Sequence, residues 1–214
     1  MMRTTVKRAM DVTGSLLGLL IFAVPMGVIA LLVRRALGSP VIYRHRRPGL
    51  RGQVFEMYKF RTMQNATDAH GNTLPDHLRI TPLGRFLRRS SLDELPELFN
   101  VLRGEMSLVG PRPLLIEYLD RYSAEQARRH DVRPGVTGWA QINGRNALNW
   151  NDRLALDTWY VDHANVWLDV KILARTVLRV LRRDDVSVDG DLDVPRFMGA
   201  QHHGPGAPLT EAHR

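Results

Sequence analysis

The stretch "VTGSLLGLLIFAVPMGVIALLV", residues 12–33, runs 22 positions without a charge, and nothing else in the chain restricts the fold so strongly. As a helix it would reach about 33 Å, close to the ~30 Å hydrocarbon layer of a bilayer, so the sequence predicts a helix in lipid. It is too long for a signal peptide, and no small-x-small cleavage site precedes Arg34 and Arg35. Pro25, in the middle, removes a backbone donor and crowds the preceding turn. Arg3, Lys7 and Arg8 flank one end, and Arg34, Arg35, Arg44, Arg46 and Arg47 follow the other. A straight kinked span is the commoner arrangement of membrane helices, but it would put one basic cluster on the wrong side. The charges favour a re-entrant helix over residues 1–38, broken at Pro25, with both ends on the cytoplasmic face.

The rest reads as a small soluble domain over 39–198, α+β and mostly helical, followed by a disordered Gly/Pro-rich tail over 199–214. "VIYRHRRPGLRGQVFEMYKFRTM" has strand character on both sides of Pro48-Gly49, a short β-hairpin. Residues 65–79 are polar and turn-rich, a loop. Thr81-Pro82 is an N-cap and first-turn pair before a short helix whose Leu83, Phe86 and Leu87 oppose Arg85, Arg88 and Arg89. Residues 149–183 read as two helices separated near 163–165. In the second, Lys171, Arg175 and Arg179 recur every four residues against Val170, Ile172, Leu173 and Val177. With Trp159, Tyr160 and Trp167 nearby, that pattern suits an amphipathic helix lying among membrane lipids; an ordinary surface helix fits the periodicity equally well.

Chemistry concentrates around "SSLDELPELFNVLRGEMSLVGPRP". Asp93 as N-cap would place Pro96 in the first turn of a helix, where its missing N–H costs little. The same carboxylate, stabilised as an anion there, can be a nucleophile toward phosphorus if cations offset the phosphates it approaches. Cations are present in stiff or glycine-lined settings: Lys59 in "YKFRTM", Arg112 between two prolines, Arg145 in "NGRN". Arginine's planar fork suits bidentate contact with phosphate. Glu94 is placed to handle a proton or to help hold Mg²⁺, a cation that takes one or two carboxylates plus phosphate oxygens. On residue chemistry alone, solvated charges and a capped helix explain the same positions. The 30 Lys+Arg against 22 Asp+Glu suit an anionic partner, but no recognition helix or stacking motif points to nucleic acid. The absence of cysteine excludes disulfides, thiolate zinc and cysteine nucleophiles, and His202-His203 lacks a spaced third ligand.

The motif "SLDELPELFNVLRGEMSLVGPRP", with "YKFRTM" before it and "RPGVTGWAQINGRN" and "LDTWYVDHANVWLDVKIL" after it, resembles the bacterial sugar transferase family, the monotopic phosphoglycosyl transferases, in its minimal members. The resemblance runs from the apolar segment to about Leu181. It implies transfer of a phospho-sugar from a UDP-sugar to undecaprenyl phosphate at the cytoplasmic membrane face, with release of UMP. It makes Asp93 the nucleophile and a Mg²⁺ ligand, Glu94 its partner, and Lys59, Arg112 and Arg145 phosphate contacts. It also implies the re-entrant helix, although Val24 stands where the best-known member carries serine. The competing class is a membrane-tethered basic binding or scaffold protein without catalysis. Neither the sugar nor the oligomeric state is legible.

Overall fold

The computed structural model describes residues 2–144, 148–182 and 196–199, with side chains except at 2–4, 181 and 182. The tail expected over 199–214 lies outside the described residues from 200 onward. In order, the elements are α1 (Met2–Leu37), β1 (Ile42–Pro48), β2 (Val54–Phe60), α2 (Asp76–Arg79), α3 (Pro82–Arg89), α4 (Glu97–Arg103), β3 (Ser107–Val109), α5 (Ala124–Ala127), β4 (Gly135–Thr137), α6 (Trp139–Ile142), α7 (Trp150–His163) and α8 (Val166–Arg182). The α+β, mostly helical class expected from the sequence is the one observed.

Leu, Ala, Ile and Met carry α1, and Gly38, with φ of 75°, ends it in the left-handed conformation that glycine adopts freely. Only 11% of its most apolar window is buried, so this is not a core helix, and its length and composition suit a membrane. The helix is not interrupted at Pro25, which lies inside one continuous element; the break expected there is at most a bend. Its two limbs both pack on the domain. In the first, Arg8 donates to the last carbonyls of α4, at Val101 (2.6 Å) and Leu102 (2.7 Å). Asp11 accepts from Ser107 Oγ and Leu108 N, both at 2.9 Å. Lys7 reaches Asp169 at 2.6 Å. In the second limb, Ile29 and Val33 are buried with Phe60 and Leu87. Residues 20–25 between them are all exposed, and six consecutive positions cover every direction around a 3.6-residue turn. The domain therefore covers parts of both halves of the helix and leaves residues 20–25 between them uncovered.

β1 and β2 form the expected antiparallel hairpin, pairing Ile42 with Phe60 through to Pro48 with Val54. Thr81 Oγ1 caps α3 by accepting from Gly84 N at 3.0 Å. Gly84 is obligatory, since a Cβ there would lie 2.0 Å from the Thr62 carbonyl oxygen. Phe86, expected on the apolar face of α3, is exposed, while Leu87 is buried. β3 and β4 pair in parallel, Ser107 with Gly135 and Val109 with Thr137, a pairing too short to leave a periodic signal. The main core gathers Met57, Val101, Met106, Val109, Tyr160 and Ile172 from the hairpin, α4, β3, α7 and α8. α7 and α8 divide at Ala164-Asn165, as expected. α8 buries Leu168, Asp169 and Ile172 and exposes Trp167, Val170, Val177 and Leu178 beside Lys171 and Arg175. Arg179 departs from the basic stripe: it donates to the Gln141 carbonyl at 3.3 Å.

Candidate active site

The "SLDELPE" segment does not form the helix start expected from sequence. Ser91 takes a left-handed conformation (φ 54°), residues Leu92–Glu94 make one 3₁₀ turn, and Pro96 rather than Asp93 stands at the head of α4. Asp93 is thus a turn upstream of the cap position, and among the described residues nothing hydrogen-bonds to its carboxylate. The capping role therefore has no contact to support it. Leu92 and Leu95 pack into the cluster under the second limb of α1, which fixes the turn from its apolar side.

Lys59 arrives from β2. Asn100, fully buried on α4, accepts from Tyr58 N (3.0 Å) and donates to the Glu56 carbonyl (2.6 Å), stitching that strand to the helix. The Lys59 ammonium consequently lies 2.7 Å from Glu94 Oε1 and 3.3 Å from Glu97 Oε1. Arg112 forks onto the two Glu94 oxygens, closely from Nη2 and at 3.4 Å from Nη1. Its backbone is also held: Arg129 Nη2 donates to the Arg112 carbonyl at 2.7 Å while bound to buried Asp157. The structure thus brings Lys59, Asp93, Glu94 and Arg112 together. Arg145 lies outside the described residues.

Burial would raise the Glu94 carboxyl, but Arg112 and Lys59 outweigh it and hold the group well below the usual range, ionised. Asp93 is pushed up to about 6 by burial and then by the Glu94 charge, against the pull of Lys59, Arg88 and Arg112. Glu97, a third carboxyl that the sequence reading passed over, is pushed up to about 7 by burial, with Glu94 adding and Lys59 opposing. Its spacing of four from Asp93, in the helix expected to begin there, is the signal that could have flagged it. Burial alone would lower the Lys59 ammonium, yet the carboxylates carry it above its ordinary value. Among the described residues, Asp93 is the carboxylate of this cluster with neither a hydrogen bond nor an ion pair, in a cationic surround.

Among the described residues no three His, Asp or Glu side chains converge as a complete metal site. Asp93, with its lone pairs uncommitted, fits Mg²⁺ only as one protein ligand beside phosphate oxygens, which is how that ion is commonly held.

A family model described as bacterial sugar transferase matches residues 2–183. An uncharacterized sugar transferase of Bacillus subtilis, EpsL, is 49% identical over 91% of this chain and 96% of its own length. An undecaprenyl-phosphate galactose phosphotransferase of Salmonella typhimurium is 40% identical over 83% of this chain. A UDP-glucose:undecaprenyl-phosphate glucose-1-phosphate transferase of Xanthomonas campestris is 44% identical over 73%. The matches cover only 41% and 34% of those two longer proteins. The chain belongs to the bacterial sugar transferase family.

Proposed function

We propose that the protein transfers a sugar phosphate from a UDP-sugar to undecaprenyl phosphate through a phospho-sugar held covalently on Asp93. The observation that carries this reading is the Asp93 carboxylate, without a hydrogen bond or ion pair among the described residues, beside Lys59, Glu94 and Arg112. An Asp93 oxygen attacks the phosphorus that bears the sugar, and the bond from that phosphorus to the bridging oxygen breaks. UMP leaves with the electron pair. A phosphate oxygen of the polyprenol then attacks the same phosphorus, and the Asp93 carboxylate is released. Both steps need positioning and charge neutralisation more than proton transfer. Mg²⁺, held by Asp93 and the substrate, would supply further neutralisation of the diphosphate. Glu94 is kept too acidic to carry a proton at neutral pH, so its part is to hold Lys59 and Arg112 in place; Glu97 is the carboxyl with a proton to exchange.

The acceptor would enter from the bilayer. An apolar groove of about 310 Å³ runs between Met26, Gly27 and Ala30 of the second limb, Ile42, Tyr58 and Phe60 of the hairpin, and Pro96 and Phe99. It runs along that limb and reaches Tyr58 and Phe60, which flank Lys59, and Pro96 at the head of α4, which suits an isoprenoid chain with its phosphate at the site. Both limbs of α1 meeting one domain support a re-entrant topology, with the site on the cytoplasmic face and α8 resting its apolar side on the membrane.

Peptide mass spectrometry after incubation with UDP-sugar and Mg²⁺, without acceptor, tests the reading. One phospho-sugar should appear on Asp93 and be absent from Asp93→Asn. An adduct elsewhere, or an active Asp93→Asn protein, would overturn it.

A further inference from the structure

The hairpin carries a cation that the reaction outlined above does not use. Directly paired residues of an antiparallel ladder project to the same side, so the pairs Tyr43 with Lys59, His45 with Met57 and Arg47 with Phe55 put His45 and Arg47 on the face that presents Lys59 to the carboxylates. Arg47 is half-buried, and its Nε is enclosed without a hydrogen-bond partner. Its guanidinium contact among the described residues is Nη2 with His45 Nδ1, at 3.2 Å. Burial, and then the charges of Arg47 and Lys59, push the His45 ring down to about 4, so it is neutral and accepts that bond. No carboxylate forms an ion pair with Arg47 among the described residues, although Arg112 stands close enough to repel it. Burial, followed by that repulsion, brings the guanidinium down to about 10, with Glu97 and two tyrosines offsetting only part. A half-buried cation whose Nε is enclosed and which has no ion-paired carboxylate among the described residues, facing a second cation, is costly in a folded protein unless an anion completes it.

We infer that Arg47 is a second phosphate clamp, which with Arg112 grips the diphosphate of the nucleotide sugar and is aimed by the neutral His45. This rests on the reading of the Asp93 cluster as the site of sugar-phosphate transfer. Arg112, bonded to Glu94 beside the nucleophile, serves the phosphorus that reacts. Arg47, farther along the hairpin toward Pro48-Gly49, serves the phosphate that departs with UMP, where negative charge grows as the bridging bond breaks. Arginine suits the task because its fork spans two oxygens and its charge survives burial.

The test uses the full chain in detergent, with calorimetric titration of UDP and thermal melts without ligand. Arg47→Met should bind UDP about 10- to 100-fold more weakly and, having lost an uncompensated buried charge, should melt at or above the wild-type temperature. Arg47→Lys should keep the melting temperature and recover binding only in part. Arg44→Met, on the opposite and exposed face of the hairpin, should bind as wild type. Wild-type affinity in Arg47→Met overturns the inference. So does weakened binding that merely follows a lowered melting temperature, with Arg47→Lys restoring both in full. Arg112→Met separates the two levels of the argument. If it loses UDP while Arg47→Met does not, the site reading stands and the Arg47 clamp is wrong; if the folded wild type does not bind UDP, the site reading falls and the clamp with it.

Discussion

Replacing Glu97 by glutamine separates a carboxyl's charge from its shape in the centre of the proposed site. Glu97 is 1% exposed. Its ionic partner is Lys59, at 3.3 Å in an alignment that leaves Oε1 without a hydrogen bond, and Glu94 already holds the same ammonium at 2.7 Å. The carboxyl rises from an ordinary 4.5 to about 7. At about 1.4 kcal/mol per pH unit, ionising it inside the protein costs about 3 kcal/mol more than in water. The folded state holds this proton more tightly than the unfolded chain does. The contribution to stability is therefore full below pH 4.5 and lost as pH rises through about 7. Glutamine mimics the protonated form and does not titrate. Near pH 5 the variant should melt close to wild type. At pH 8 it should be more stable by up to about 3 kcal/mol, or about 6–12 °C in Tm for a domain of this size. Thermal melts in one detergent and at one ionic strength from pH 5 to 8 read this directly. A variant that melts below wild type at pH 8, or that differs by the same amount at every pH, would show Glu97 ionised and carried by Lys59, and would refute the reasoning.

For Asp93, pushed up to about 6, kcat/KM should fall about tenfold per pH unit below that value; the limb should persist in Glu97→Gln, and a flat profile from pH 5 to 7 would remove Asp93 as the nucleophile. Gly27 faces open space in the groove, so Gly27→Leu should leave the Asp93 adduct intact and slow its transfer to undecaprenyl phosphate; equal loss of both half-reactions, measured by adduct formation and product release, would contradict the groove assignment. Arg129→Met strands buried Asp157 and should cost about 3–5 kcal/mol. The double variant with Asp157→Leu should regain that stability in denaturant melts, yet show a raised KM for UDP-sugar, because the Arg112 carbonyl has lost its donor; an unchanged KM would show that Arg112 needs no such support.

Much of the site was legible because its members lie in short motifs whose chemistry is local. Lys59, Glu94 and Arg112 were each singled out by residue type and stiffness of context, and they meet in the structure. The conformation of Asp93 was not legible. The rule that favours proline in a first turn placed Asp93 at the cap, but Ser91 adopts a left-handed conformation and a 3₁₀ turn intervenes. Such a conformation in a residue with a side chain is uncommon, so propensity argues against it, and only tertiary packing of Leu92 and Leu95 compensates. The parallel pairing of β3 with β4 and the Arg129–Asp157 pair join residues about 28 positions apart, and no local period records them.

That packing ties the membrane helix to the chemistry. Ile29 and Val33 of the second limb, Phe60 at the end of the hairpin, Leu87 of α3, and Leu92 and Leu95 flanking Asp93 share one apolar cluster. Phe60 adjoins Lys59 in sequence, Leu87 adjoins Arg88, and Leu92 adjoins Asp93, so three groups of the charged site stand on residues whose neighbours are buried beneath that limb. Val28, Leu31 and Leu32 are exposed on the limb's outward face, apolar surface that suits contact with lipid. Removing the apolar surround would leave that face to seek other cover, and any shift of the limb would be felt by the platform under Lys59, Arg88 and Asp93. On the proposed function, the membrane that holds this limb would then also pack against the turn that carries Asp93, because Leu92 and Leu95 share the limb's apolar cluster.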